Sequence, residues 1–200
     1  MEVIEEELIC RDVWFSFTNA SNDGRLNSIK DEDVVLDWLF GLESLKGRIT
    51  RKKHNRDTAD FWLDDIPMNI KVSAYKNSQF NNVSSVPSLF AHCMNKKVKT
   101  NTDVARYVNE IYANGFLSVD VKKYGLLIVC KTEKKFWVGT FDELHEDDIY
   151  VNPSNGFQVR SIPERYVKRN NMQYVSFFLR KVDEYYKKIA EPYLIMSDFE

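Results

Sequence analysis

Hydrophobic and polar residues follow two rhythms along this chain. Between Lys30 and Leu45, the apolar residues Val34, Val35, Trp38, Leu39, Leu42 and Leu45 recur at steps of three and four. That spacing predicts an amphipathic helix, capped by Asp31 or its neighbours and ended by Gly47. From Thr58 to Ala74 the period changes to that of two short strands, with Asp64-Asp65 as a two-residue turn lacking the usual glycine. Ser84 or Ser85 opens a helix through Leu89, Phe90 and Met94, and a second helix runs from about Asp103 to Ala113, with Gly115 as its stop. The continuous apolar run Gly125–Cys130 reads as a buried strand, with Lys135–Phe141 as its hairpin partner. Phe157 to Ile162 forms a further short strand, and a long helix covers about Met172 to Ala190. This order of elements predicts an α/β domain with a mixed central β-sheet flanked by helices.

Two hundred residues fit one domain, 1–200, with a core at 30–142 and a C-terminal strand-and-helix extension at 143–200. No apolar run approaches the ~18 residues a membrane span needs. The acidic start MEVIEEELIC is unlike a signal peptide, so a cytoplasmic protein is expected. Cys10, Cys93 and Cys130 form no CxxC pair, which excludes a zinc ribbon or disulfide framework as the organising device. His54, His92 and His145 have no ligand spacing, and no glycine-rich phosphate loop is present.

Charge changes the picture more than composition does. The net charge is −2, yet Lys46–Thr102 holds eleven Lys or Arg residues against four Asp, and Ile66–Thr102 has no carboxylate. A basic region inside an acidic chain predicts an anionic partner, nucleic acid being the commonest; a solvated basic loop is the plainer explanation.

The informative stretch is Asp60 to Lys71. A tight turn at Asp64-Asp65 sets Leu63 opposite Ile66, Phe61 opposite Met68 and Asp60 opposite Asn69. Lys71 shares the face of Asn69 because strand side chains alternate. Asp60, Asn69 and Lys71 then converge. Oxygen donors from Asp and Asn suit Mg²⁺, and a nearby ammonium can hold water or steady a pentavalent phosphate. An ordinary hairpin with an exposed Asp60–Lys71 ion pair fits the same string. The acid-poor, Lys/Arg-rich flanks, the strand pattern and the amide-rich loop that follows favour a site.

Asp57-Thr-Ala-Asp60-Phe-Trp-Leu followed by Asn69-Ile-Lys71-Val-Ser resembles the core of the PD-(D/E)XK nucleases. More narrowly, with Phe80-Asn-Asn-Val-Ser-Ser85, it is similar to the HincII-like and HaeIII-like groups of type II restriction endonucleases, with an N-x-K variant of the motif. The resemblance covers about Arg56 to Met94. It implies a restriction-endonuclease-like fold and Mg²⁺-dependent cleavage of double-stranded DNA to 5′-phosphate ends by a homodimer in a prokaryotic cytoplasm. Asp60, Asn69 and the main-chain carbonyl of Ile70 would be metal ligands, and Lys71 the catalytic lysine. Asn69 stands where the family usually has a carboxylate. Asp37, Glu43 or Asp64 is a candidate to supply the missing acid.

Lys76, Asn77, Gln79, Asn81 and Asn82 follow the catalytic strand, and Asn, Gln and Lys side chains can read base edges. Arg48, Arg51, Lys52, Lys53 and Arg56 suit phosphate oxygens. The loop Asn152–Gly156, with Arg160 and Arg165, is a second candidate reader. The apolar side of the long helix either forms a dimer seam or covers the sheet. Two rivals stand beside the nuclease: a DNA-binding module with a vestigial core, and an interaction domain with a solvated basic loop.

Overall fold

The computed structural model describes residues 1–10, 15, 17, 24–51, 59–74 and 81–197. Two sheets organise them. The larger has the order β1 (Ile49–Arg51), β2 (Phe61–Leu63), β3 (Ile66–Ser73), β5 (Gly125–Cys130), β6 (Lys135–Thr140). The smaller has the order β4 (Asn81–Ser84), β8 (Gly156–Val159), β7 (Ile149–Asn152). Among the described residues β3 and β5 pair in parallel, and the other ladders are antiparallel. With helices on its two faces, the fold is the mixed α/β arrangement the pattern predicts.

The parallel pair needs a crossover, and α3 (Val86–Cys93) and α4 (Asn101–Asn114) lie within it. Ser85 caps α3 by accepting the Ser88 N–H at 3.4 Å. Thr100 and Asp103 cap α4 as a reciprocal box, and Gly115 ends that helix at φ 83°. β5 is buried along its whole length because β3 and β6 flank it and both its faces are covered. Its side chains alternate between two cores. Leu127 and Val129 join Met68, Ile70 and Val72 against α1 (Glu2–Cys10) and α2 (Gly24–Phe40). Leu126 and Ile128 join Phe90, Phe157 and Phe178 on the other side, with α3, α4 and α5 (Asn171–Ser197). A Cβ at Gly125 would meet Met68 Sδ at 2.0 Å, so any larger residue there would displace the Met68 side chain.

The β2–β3 turn is Asp64-Asp65 at φ 46° and 67°, the left-handed pair that a two-residue hairpin needs. Asp tolerates this region better than most residues. The resulting register, Leu63↔Ile66, Trp62↔Pro67 and Phe61↔Met68, is the expected one.

Four expectations need correction. The first long helix starts at Gly24 rather than Lys30, so Asp31 lies inside it and is not a cap. Asp31 is 1% exposed and bonds Lys131 at 2.6 Å. That helix ends at Phe40, and Leu45 belongs to a separate 3-10 turn. Ile49–Arg51 is an edge strand where a basic loop was expected. The strand placed at Phe157–Ile162 is Gly156–Val159, and it pairs with β7, which the pattern did not reveal.

The strands and helix of the C-terminal extension share the second core with α3 and β5. Along α5, Tyr174, Val175, Phe178, Leu179 and Val182 are all buried in that core, so this stretch of its apolar side covers the sheet. Lys181 and Lys188 of α5 donate to the β7 carbonyls of Ile149 and Val151 at 3.4 and 3.1 Å. Among the described residues, no helix is long and apolar enough to cross a membrane.

Candidate active site

The site begins where one ladder stops and its neighbour continues. β2 pairs with β3 only as far as Phe61↔Met68, whereas β3 runs on to Ser73 alongside β5. At the last rung, the Asp60 N–H donates to the Met68 carbonyl at 2.8 Å. One residue on, the Ile70 N–H donates to Asp60 Oδ2 at 2.7 Å. A side-chain carboxylate thus takes the backbone donor that a longer β2 would have satisfied. In an extended strand, one residue's N–H and C=O point to the same edge, so the Ile70 carbonyl faces the side on which Asp60 sits.

Asn69 and Lys71 occupy alternate positions on β3 beside this edge. Asn69 is 6% exposed, and its amide nitrogen donates to Tyr124 Oη at 3.0 Å. Tyr124 is fully buried at the threshold of β5, and burial pushes its phenol pKa up. The amide orientation is therefore fixed from behind by a phenol that stays protonated. Ser84 of β4 also bonds this phenol.

Lys71 points to a residue the sequence reading missed. Its Nζ lies 3.6 Å from Glu32 Oε1, with both side chains about four-fifths covered, at 17% and 22% exposure. Burial raises the Glu32 carboxyl from 4.5 to about 7; Lys71 opposes the shift, and the negative charge of Asp60 adds to it. Glu32 therefore senses both groups. The available signal was weak: an acid in Lys30-Asp-Glu-Asp33 beside a buried helical face, 28 residues before Asp60.

The three acids proposed to compensate for Asn69 are engaged elsewhere. Asp64 pairs with Arg48, Asp37 with Arg51 at 2.9 Å, and Glu43 with Lys46 at 3.4 Å. Arg48 accordingly sits at the turn end of the hairpin. Arg51 stands opposite Phe61, next to Asp60, with its guanidinium over the Phe40 ring at 4.6 Å. Lys52, Lys53, Arg56, Lys76, Asn77 and Gln79 lie outside the described residues. Asn81 and Asn82 fall on β4, in the second sheet, so they are strand residues rather than loop residues. The Asn152–Gly156 segment is the turn between β7 and β8.

The donor set at the ladder's end is two carboxylates, one amide oxygen and one main-chain carbonyl. These are hard oxygen ligands of the kind Mg²⁺ selects. Two acids sharing one patch, one of them poised near neutrality, is an arrangement that a cation relieves. By donor chemistry the residues fit the ion. Among the described residues, no group of three or more His, Cys, Asp or Glu side chains is placed to hold a metal. The amide and the carbonyl must therefore complete any coordination.

No protein-family model matches the chain, and no curated protein is significantly similar to it in sequence.

Proposed function

We propose that the protein is a Mg²⁺-dependent endonuclease acting on double-stranded DNA, of the type II restriction kind, and that it works as a homodimer. One observation carries this reading: Glu32, Asp60 and Lys71, from a helix, a strand end and a neighbouring strand, come together where the β2–β3 ladder stops, with Asn69 two positions before Lys71 on the same strand. Two copies would cut the two strands of a symmetric site.

Asp60, Glu32, the Asn69 amide oxygen and the Ile70 carbonyl would hold the ion. When bound, Mg²⁺ supplies positive charge against the scissile phosphate and makes water easier to deprotonate. Asp60 is held in place by the Ile70 N–H, so it needs no reorganisation during the reaction. The Lys71 ammonium would donate to a non-bridging phosphate oxygen as negative charge builds there. The proton of the attacking water would pass to bulk solvent. The water oxygen bonds to phosphorus, the bond from phosphorus to O3′ breaks, and a proton from solvent restores the 3′-hydroxyl. The products are a 5′-phosphate and a 3′-hydroxyl.

The test is digestion of a sequenced plasmid with Mg²⁺ or Mn²⁺, followed by mapping of the ends. Discrete 5′-phosphorylated fragments, absent with Asp60→Ala, are the expected result. One feature favours a second reading, a DNA-binding protein with an inactive core. Asn69 supplies a neutral amide where a carboxylate would bind the ion harder, and Tyr124 holds its nitrogen. A gel shift without cutting in either metal would support that alternative.

A further inference from the structure

The second sheet has two unlike faces. Val83, Ile149, Val151, Phe157 and Val159 point into the core. Direct cross-strand partners share a face, so Asn82, Gln158 and Tyr150 form one row on the opposite side. Strand alternation adds Asn152 and Arg160 to that side. The two segments singled out separately as candidate readers, one before α3 and one after β6, thus meet on a single surface.

The row is wired in one direction. The turn N–H groups of Ser154 and Asn155 donate to Asn152 Oδ1 at 2.9 and 3.3 Å. That fixes the Asn152 amide so that its Nδ2 donates to Gln158 Oε1 at 3.2 Å. Gln158, only 5% exposed, in turn donates its Nε2 to Asn82 Oδ1. Asn82 ends the relay and is exposed. Its Oδ1 is held by Gln158 and keeps a second lone pair, and its Nδ2 carries two hydrogens to donate. An Asn presented in this way matches the N6–H and N7 edge of adenine in a major groove.

Charge beside the row suits the same partner. The Arg160 guanidinium lies 3.4 Å from the Tyr150 ring centroid, and Lys188 Nζ lies 4.9 Å from it. Arg160 also lines a groove of about 940 Å³ with Lys134, Lys135 and Arg165, among which Glu133, Asp148 and Glu164 leave a net positive wall. The row also connects to the candidate active site. Ser84, two residues beyond Asn82 on β4, bonds the same Tyr124 phenol that holds Asn69.

We infer that the outer face of the second sheet reads bases in duplex DNA, with Asn82 as the specificity-determining contact and Arg160 as a phosphate contact. This rests on the nuclease reading and names how the site would choose its sequence. The test is selection from a randomised duplex library with Ca²⁺ replacing Mg²⁺, run in parallel on the wild type, Asn82→Ala and Asn82→Asp. Asn82 is exposed, so both variants should fold, which circular dichroism and melting would verify. We expect the wild type to select a defined sequence containing adenine. Both variants should lose at least tenfold preference at one position, while affinity for unselected duplex stays within threefold for Asn82→Ala. If both variants select the wild-type sequence with unchanged preference, or if the wild type binds duplex without any preference, this inference falls and the nuclease reading stands. If the wild type binds no duplex at all, both fall.

Discussion

Two lysine–carboxylate pairs stand side by side on the same stretch of helix and sheet. Asp31 and Glu32 are consecutive in α2; their partners are Lys131, just past β5, and Lys71, on β3. The first pair is closed: 2.6 Å, with Asp31 1% exposed. Lys131 is tied down further by its own N–H, which donates to the Ser73 carbonyl at 2.8 Å. The second pair is looser at 3.6 Å, shares its space with Asp60, and leaves Glu32 near neutrality. The same two functional groups thus serve opposite ends. Asp31–Lys131 fastens α2 to the far end of the β3–β5 ladder. Glu32–Lys71 sets a longer ion pair, with a third charge from Asp60, where the β2–β3 ladder stops.

Four substitutions would break or sharpen this contrast. Asp60→Ala removes the carboxylate proposed to hold the ion and should lower plasmid cleavage by about 10³-fold or more. Melting should change by only about 1 kcal/mol, the worth of the lost Ile70 hydrogen bond. Near-wild-type cutting by that variant would remove the site assignment. Asp31→Asn should do the reverse. It leaves a mostly buried Lys131 ammonium without its counter-charge, which costs about 3 kcal/mol. Thermal melting should fall by about 6–12 °C, while the cleavage rate per folded molecule stays within threefold.

Glu32→Gln tests the loose pair through pH. The folded protein holds the Glu32 proton up to about 7, against an ordinary value of 4.5. Stability linked to this group is therefore complete below about pH 4.5 and is lost as pH rises through 7. Glutamine cannot ionise, so the variant should match wild type at pH 4 and melt higher at pH 8. The gain should be on the order of 2 kcal/mol. Mg²⁺ should close that gap by stabilising wild type more than the variant. A difference independent of pH would show that Glu32 does not carry the raised pKa. The smallest effect is expected from Asn69→Asp. A carboxylate there adds charge to the proposed ligand set, and Tyr124 can turn to donate its proton to it. Mg²⁺ affinity, measured by calorimetry, should rise by about tenfold, or about 1.4 kcal/mol.

The hairpin half of the site was readable because a two-residue turn leaves one register, and register alone decides that Asp60 lies across from Asn69. The helical half was not. Whether Glu32, Asp37 or Glu43 reaches β3 depends on how α2 docks, and periodicity gives the buried face without saying which flanking acid leans over the sheet. Extending the helix back to Gly24 turned Asp31 from an expected cap into an interior anchor. β7 was missed for a different reason. Ile-Tyr-Val-Asn is four residues long, follows an acidic run, and shows its alternation only once β8 supplies a partner. The link between Asn82 and Asn152 needed that same pairing.

The ammonium groups of Lys181 and Lys188 occupy carbonyls along the outer margin of β7. A margin of that kind is otherwise a template on which another molecule's strand can add, and lysine is a common guard against such fibre-like growth. With those carbonyls taken, this margin is a poor seat for an added strand from another molecule.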